Sequence, residues 1–189
     1  MEAGDQRLRF LPTVDEARHV VFTTKPAGWI EFVLGGELPQ NVALFERYGV
    51  FRKSLFDQLR RLLVGTNARE MRFVGDLDPT DIFVFLSLRE ALHGTGARLR
   101  YVGVNDDWLA LCERHSLTSG SLPTMDLPLF ERALLEDLFT LEDQSWQRDV
   151  GSRGVELLRT GKKLEIEGAC NPAFYGGELA TALRPVLFP

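Results

Sequence analysis

The chain has 189 residues, is 44% hydrophobic and carries a net charge of −5. That is enough apolar material for one compact domain, and the acidic balance argues against an extended nucleic-acid surface, because phosphate binding draws most of its affinity from clustered Lys and Arg. No stretch approaches the roughly 18 consecutive apolar residues of a membrane span, and the polar start MEAGDQRLRF lacks the apolar core of a signal peptide, so a cytoplasmic protein with no membrane partner is expected.

In chain order, RHVVFTT (18 to 24) is a β-branched and aromatic run of strand length, and KPAGWIEFVLGG after it reads as a short helix ending in glycines. QNVALFERYG reads as a second strand. FRKSLFDQLRRLLVG then sets Phe51, Leu55, Leu59, Leu62 and Leu63 on one helical face, with Arg52, Lys53, Arg60 and Arg61 opposite. REMRFVG (69 to 75) is a third strand, and PTDIFVFLSLREALHG is a helix apolar around most of its circumference, hence largely buried. ARLRYVGV (97 to 104) is a fourth strand, followed by a helix over NDDWLALCERH. Strands alternating with helices predict an α/β fold: a mostly parallel four-stranded sheet flanked by helices. From Ser116 the pattern changes to a turn-rich connector and helical segments without a clear strand. Residues 1–115 are thus expected to form the α/β core and 116–189 a helical extension packed on it.

The candidate chemistry lies in FVGDLDPTD (73 to 81), where three aspartates follow a buried strand. Residues two apart in an extended strand end point to the same side, so Asp76 and Asp78 can converge with Cα atoms roughly 7 Å apart. They fall at the carboxyl end of a strand, where open α/β sheets bind ligands, and could hold magnesium. Capping competes with this: Asp78 is a good N-cap, Pro79 suits the first helical position, and Asp81 resembles a capping-box acid. Capping leaves Asp76 unexplained, since its charge sits beside an apolar strand and a second carboxylate.

DLDPT satisfies the D-x-D-x-T pattern of haloacid-dehalogenase-type phosphatases, with Asp76 in the nucleophile's place and Asp78 in that of the general acid. The later acidic pair after a strand, Asp106 and Asp107, follows too soon for that family's layout. FVGDLDPTDIFVFLSLREAL more closely resembles the strand, GD-x-D-P-x-G turn and helix of toprim domains, specifically those of the topoisomerase VI A subunit and of the Wadjet plasmid-defence nuclease subunit. NVALFERYGVFRKSLFDQL is similar to their second strand, glycine turn and helix, and KLEIEGACNP to an acidic LEQE-type segment of the Wadjet subunit. The similarity spans roughly residues 18 to 170, and the aspartate turn is its most specific part.

The resemblance implies a toprim-like protein of DNA metabolism or defence, derived from a magnesium-dependent nuclease, with Asp76 and Asp78 holding the metal that polarises a phosphodiester. Departures matter. Toprim enzymes carry a glutamate at the end of the first strand, where VVFTTKPAG offers Thr24 and Lys25, and Asp81 stands where glycine is usual. Lys25 could compensate the carboxylates that a metal would otherwise bridge. A non-enzymatic binding or scaffold module of a larger complex is therefore the alternative, and a phosphatase using Asp76 is the third reading.

The remaining candidates are weaker. Glu165 and Glu167 could approach the aspartates as replacement ligands if the tail folds back; the plainer reading is a solvated helix face beside Lys162 and Lys163. Arg52, Lys53, Arg60 and Arg61 could contact a few DNA phosphates, against the plainer reading of a solvated face. His19, His93 and His115 have no local partner pattern, and Ser119 and Ser121 lack a nucleophile elbow. Cys112 and Cys170 have no metal-type spacing, which leaves no zinc site.

Overall fold

The computed structural model describes residues 17–25, 42–46, 56–57, 59–61, 63, 68–115, 122–169 and 178–187. Four parallel strands, β1 (His19–Thr23), β2 (Val42–Glu46), β3 (Glu70–Val74) and β4 (Arg98–Tyr101), form a sheet in the order β2-β1-β3-β4. β1, β2 and β3 are buried along nearly their whole length, as near-continuous apolar runs require when helices cover both faces of a sheet. β4, at the edge, carries exposed Arg98 and Arg100, charges that discourage pairing with another chain. The register pairs Phe22 with Phe73 and Phe73 with Tyr101, and Phe73 stacks on both rings.

Helix α1 (Pro79–Ala91) follows β3, and α2 (Asp106–His115) follows β4. α1 buries Ile82, Val84, Phe85 and Leu88, as expected of a helix apolar on most sides. Asn105 starts α2 by accepting the Trp108 N–H on its side-chain oxygen, 3.1 Å away. Helical backbone also occurs at residues 56–57, 59–61 and 63, with Leu59 and Leu63 buried in the core. No helix among the described residues is long and apolar enough to cross a membrane.

The C-terminal third is not purely helical. Helices α3 (Leu129–Thr140), α4 (Trp146–Val150), α5 (Ser152–Arg159), α6 (Ile166–Ala169) and α7 (Glu178–Leu187) are joined by a small antiparallel pair, β5 (Met125–Asp126) with β6 (Lys162–Lys163). The KKLEIEG segment, expected as a solvated helix face, is instead extended at its start. Burial alternates along it: Leu164 and Ile166 are fully buried, while Lys163 and Glu165 are half-buried and Glu167 is exposed. Residues two apart share a side in extended chain, whereas one continuous helix would set Leu164 and Ile166 on nearly opposite faces; the extended stretch through Leu164 ends where α6 begins at Ile166.

Two polar ties fix the extension to the core. Arg89 of α1 pairs with Asp143 and Asp149, and the buried Arg72 of β3 donates to the Val186 carbonyl at 2.9 Å. Asp106 serves a third element. Its Oδ1 accepts the N–H groups of Arg153 and Gly154, both at 3.0 Å, and so caps α5 from outside the helix. Gly151 makes this possible, since a Cβ there would collide with the Asp106 carboxylate. Asp106→Ala is expected to cost about 1–2 kcal/mol, the range of a lost N-cap, while Asp107→Ala at its exposed neighbour should stay within about 0.5 kcal/mol. Urea unfolding of the two variants checks this, and equal midpoints would deny Asp106 its capping role.

Candidate functional site

β1 and β3 are adjacent and parallel, so their carboxyl ends lie side by side, and the Thr24 N–H continues the pairing onto the Val74 carbonyl. This sets Thr24 and Lys25 against Gly75 and Asp76. The chain turns at Gly75, where a Cβ would stand 2.6 Å from Asp81 Oδ2, so only glycine lets that carboxylate approach the turn. Asp78 is the N-cap of α1, with its Oδ1 accepting the Asp81 N–H at 2.7 Å, and Pro79 occupies the first turn.

Asp81 does not complete a capping box. Its carboxylate turns inward, and Oδ2 accepts both the Asp76 N–H at 2.6 Å and the Thr24 hydroxyl at 2.7 Å. Asp76 is the hub. Its Oδ1 accepts the Ile166 N–H at 2.7 Å, its Oδ2 lies 2.5 Å from the Lys25 ammonium, and its carbonyl accepts the Tyr101 hydroxyl at 2.7 Å. Lys25 reaches on to Glu167 at 2.7 Å. The segment carrying Glu167 crosses the aspartate turn as a strap, held by reciprocal main-chain bonds between Leu77 and Leu164 of 3.0 and 3.2 Å. Glu165 does not join the aspartates; it lies 3.5 Å from Lys163, which also donates to Glu131 at 3.1 Å.

Asp76, Asp78 and Asp81 are all buried, and each offers an oxygen within 4.8 Å of the others, so the trio could hold a metal ion. Burial pushes Asp76 up to about 6 although Lys25 and the Ile166 N–H pull it down. Burial, with the charges of Asp78 and Asp76, pushes Asp81 up to about 8. Asp78 is raised by burial and, after the opposing Asp81 N–H, by the charge of Glu131. Burial works to lower Lys25, but Asp76 and Glu167 override it and hold the lysine charged.

Among the other candidates, Arg60 and Arg61 are exposed, and Arg61 Nε donates to the Asp57 carbonyl. Arg52, Lys53, Ser119, Ser121 and Cys170 lie outside the described residues. Cys112 is buried in α2, His19 and His115 are terminal residues of β1 and α2, and His93 lies in the turn after α1. Sequence reasoning did not single out Glu131. It shares a buried stripe of α3 with Leu135 and Leu138, and an acid in register with an apolar stripe was the available signal. No family model matches the chain, and no curated protein matches it.

Proposed function

We propose that the chain is a toprim-like module of DNA metabolism or defence, descended from a magnesium-dependent nuclease, that no longer cleaves phosphodiesters and serves as a binding or scaffold part of a larger complex. The observation that carries this reading is the Lys25 ammonium, 2.5 Å from Asp76 and 2.7 Å from Glu167, at the strand end where the toprim resemblance calls for a glutamate. A magnesium ion bridging Asp76 and Asp78 would need an Asp76 oxygen, and both are engaged, one by Lys25 and one by the Ile166 N–H. The lysine therefore already supplies at Asp76 the positive charge that the catalytic magnesium of that resemblance would bring. The same engagement disfavours the phosphatase reading, because a nucleophilic carboxylate needs a free oxygen open to substrate and Asp76 is only 6% exposed. DNA contact, if made through Arg60 and Arg61, is weak and salt-sensitive, in keeping with the net charge of −5.

The test is a cleavage assay on supercoiled and linear DNA with magnesium or manganese. The wild-type chain is expected to leave both intact. Metal-dependent cleavage that disappears in Asp76→Ala would make the protein a working nuclease and overturn this reading.

A further inference from the structure

Helix α1 is apolar on more sides than its own fold covers. Ile82, Val84, Phe85 and Leu88 are buried, while Phe83, Leu86, Ser87 and Glu90 form a second stripe at the i, i+3, i+4, i+7 spacing of one helical face. Phe83 and Leu86 are only half-buried there. The stripe is one wall of a surface groove of about 540 Å³. Phe56, Asp57 and Arg60, on the helical backbone between β2 and β3, form the other wall, and Leu141 just past α3 also lines the groove. A helix that met only water on this side would carry polar residues where Phe83 and Leu86 stand.

The charges of the groove say what covers it. Exposed Arg60 belongs to one wall and exposed Glu90 to the other. A partner of a single charge sign would be repelled by one of them. A second copy, turned about a two-fold axis along the groove, exchanges the walls and brings each Arg60 to the other copy's Glu90. The register is consistent along both walls. Each helical segment connects parallel strands, β2 to β3 and β3 to β4, so both run the same way, against the strands. Asp57 and Ser87 precede Arg60 and Glu90 by one turn, and Phe56 and Leu86 come one residue before those. Pairing Arg60 with Glu90 therefore sets Asp57 against a neutral hydroxyl and Phe56 against Leu86. No like charges meet, and apolar surface covers apolar surface.

We infer that this groove is the interface of a two-fold dimer of the chain. The net charge of −5 on each copy opposes their approach, so the association rests on the apolar contact, and the Arg60 and Glu90 pairs serve to fix its register. The interface lies on a face of α1 that carries none of Asp76, Asp78 or Asp81. It stands whether or not the protein cleaves DNA: the cleavage assay reads the acidic centre and self-association reads the groove, so either reading can fail alone.

The test is sedimentation velocity of the full chain from micromolar to millimolar concentration, where a reversible equilibrium of monomer and dimer is expected. Leu86→Asp should weaken the dimer by more than about thirtyfold, because a lost apolar anchor counts once in each copy. Arg60→Glu and Glu90→Arg should each weaken it by more than about tenfold, since each sets like charges together at two places. Combined in one chain they restore opposite signs, and the dimer should return to within about threefold of wild type. Arg61→Glu changes the net charge as much as Arg60→Glu but lies outside the groove, and should stay within about threefold of wild type. Thermal melts followed by circular dichroism show which variants are folded; if Leu86→Asp is not, the exposed charge variants carry the test. A wild type that stays monomeric up to millimolar concentration overturns the inference and leaves the groove to a partner of another sequence. A dimer that none of the groove variants weakens overturns it too, as does a double variant no tighter than either single one.

Discussion

Replacing Lys25 by methionine is expected to cost about 3–5 kcal/mol of folding stability at pH 8, the range for removing one partner of a buried ion pair. Asp76 Oδ2 would be left in the interior against Asp78 and Asp81 with no cation at hand. Glu167, whose side chain is 43% exposed, would turn to water at little expense, so the loss falls on Asp76. The pH dependence follows from the sign of the shift. Asp76 already sits at about 6 with Lys25 present, and without the lysine it must rise further above its unfolded value. A group raised in the folded state favours folding while it is protonated and loses that contribution as pH climbs through its folded pKa. The deficit of Lys25→Met should therefore be smaller at pH 5 than at pH 8. Lys25→Met combined with Asp76→Asn should recover most of the loss, since the amide oxygen can still accept the Ile166 N–H. Chemical denaturation of the three chains at both pH values decides the matter. A single variant within about 1 kcal/mol of wild type at pH 8 would mean that the lysine does not hold the centre together.

This network was legible in the sequence only where local pattern and tertiary pairing agree. The four strands are short β-branched or aromatic runs set off by turn residues, and the apolar breadth of α1 announces a buried helix. Alternation of strand and helix predicts parallel strands but not that β1 and β3 are neighbours, and it is that order which brings Lys25 and Asp76 together at the carboxyl ends of the two central strands. The strap was misjudged because four charged residues in KKLEIE suggest a wet helix, although Leu164 and Ile166 already stand at strand spacing. The partner that selects strand over helix here is Leu77, more than eighty residues earlier, and no local propensity encodes it. Asp81 shows the same limit. Its spacing from Asp78 fits a capping box, but the donors that claim its carboxylate are the Asp76 N–H and the Thr24 hydroxyl, the latter on a different strand. Glu131 could be read as a surface acid of an amphipathic helix until α3 is known to lie on α1, where its position on the stripe of Leu135 and Leu138 drives it inward.

Chelated wild-type protein is expected to lose stability steadily between pH 5 and pH 8, and Asp81→Asn to remove much of that slope. Asp81 stands near 3.8 in an unfolded chain and is pushed up to about 8 in the folded one, by burial first and then by Asp78 and Asp76. The folded state thus binds this proton more tightly than the unfolded state throughout that window. Stability falls by up to about 1.4 kcal/mol per pH unit from this group alone, and the fall ends once pH passes the folded value. Both hydrogen bonds to the carboxylate use the same oxygen, Oδ2, so asparagine can present its amide oxygen to the Asp76 N–H and the Thr24 hydroxyl and lose only the charge. Asp81→Asn should then melt above wild type at pH 8 in chelator and close to it at pH 5. Melting curves of both chains at pH 5, 6.5 and 8 in chelator contain the answer. A wild-type profile that is flat in chelator, or an asparagine variant less stable than wild type at pH 8 without metal, would show that Asp81 is held ionised by its two donors and that its charge is no burden to the fold.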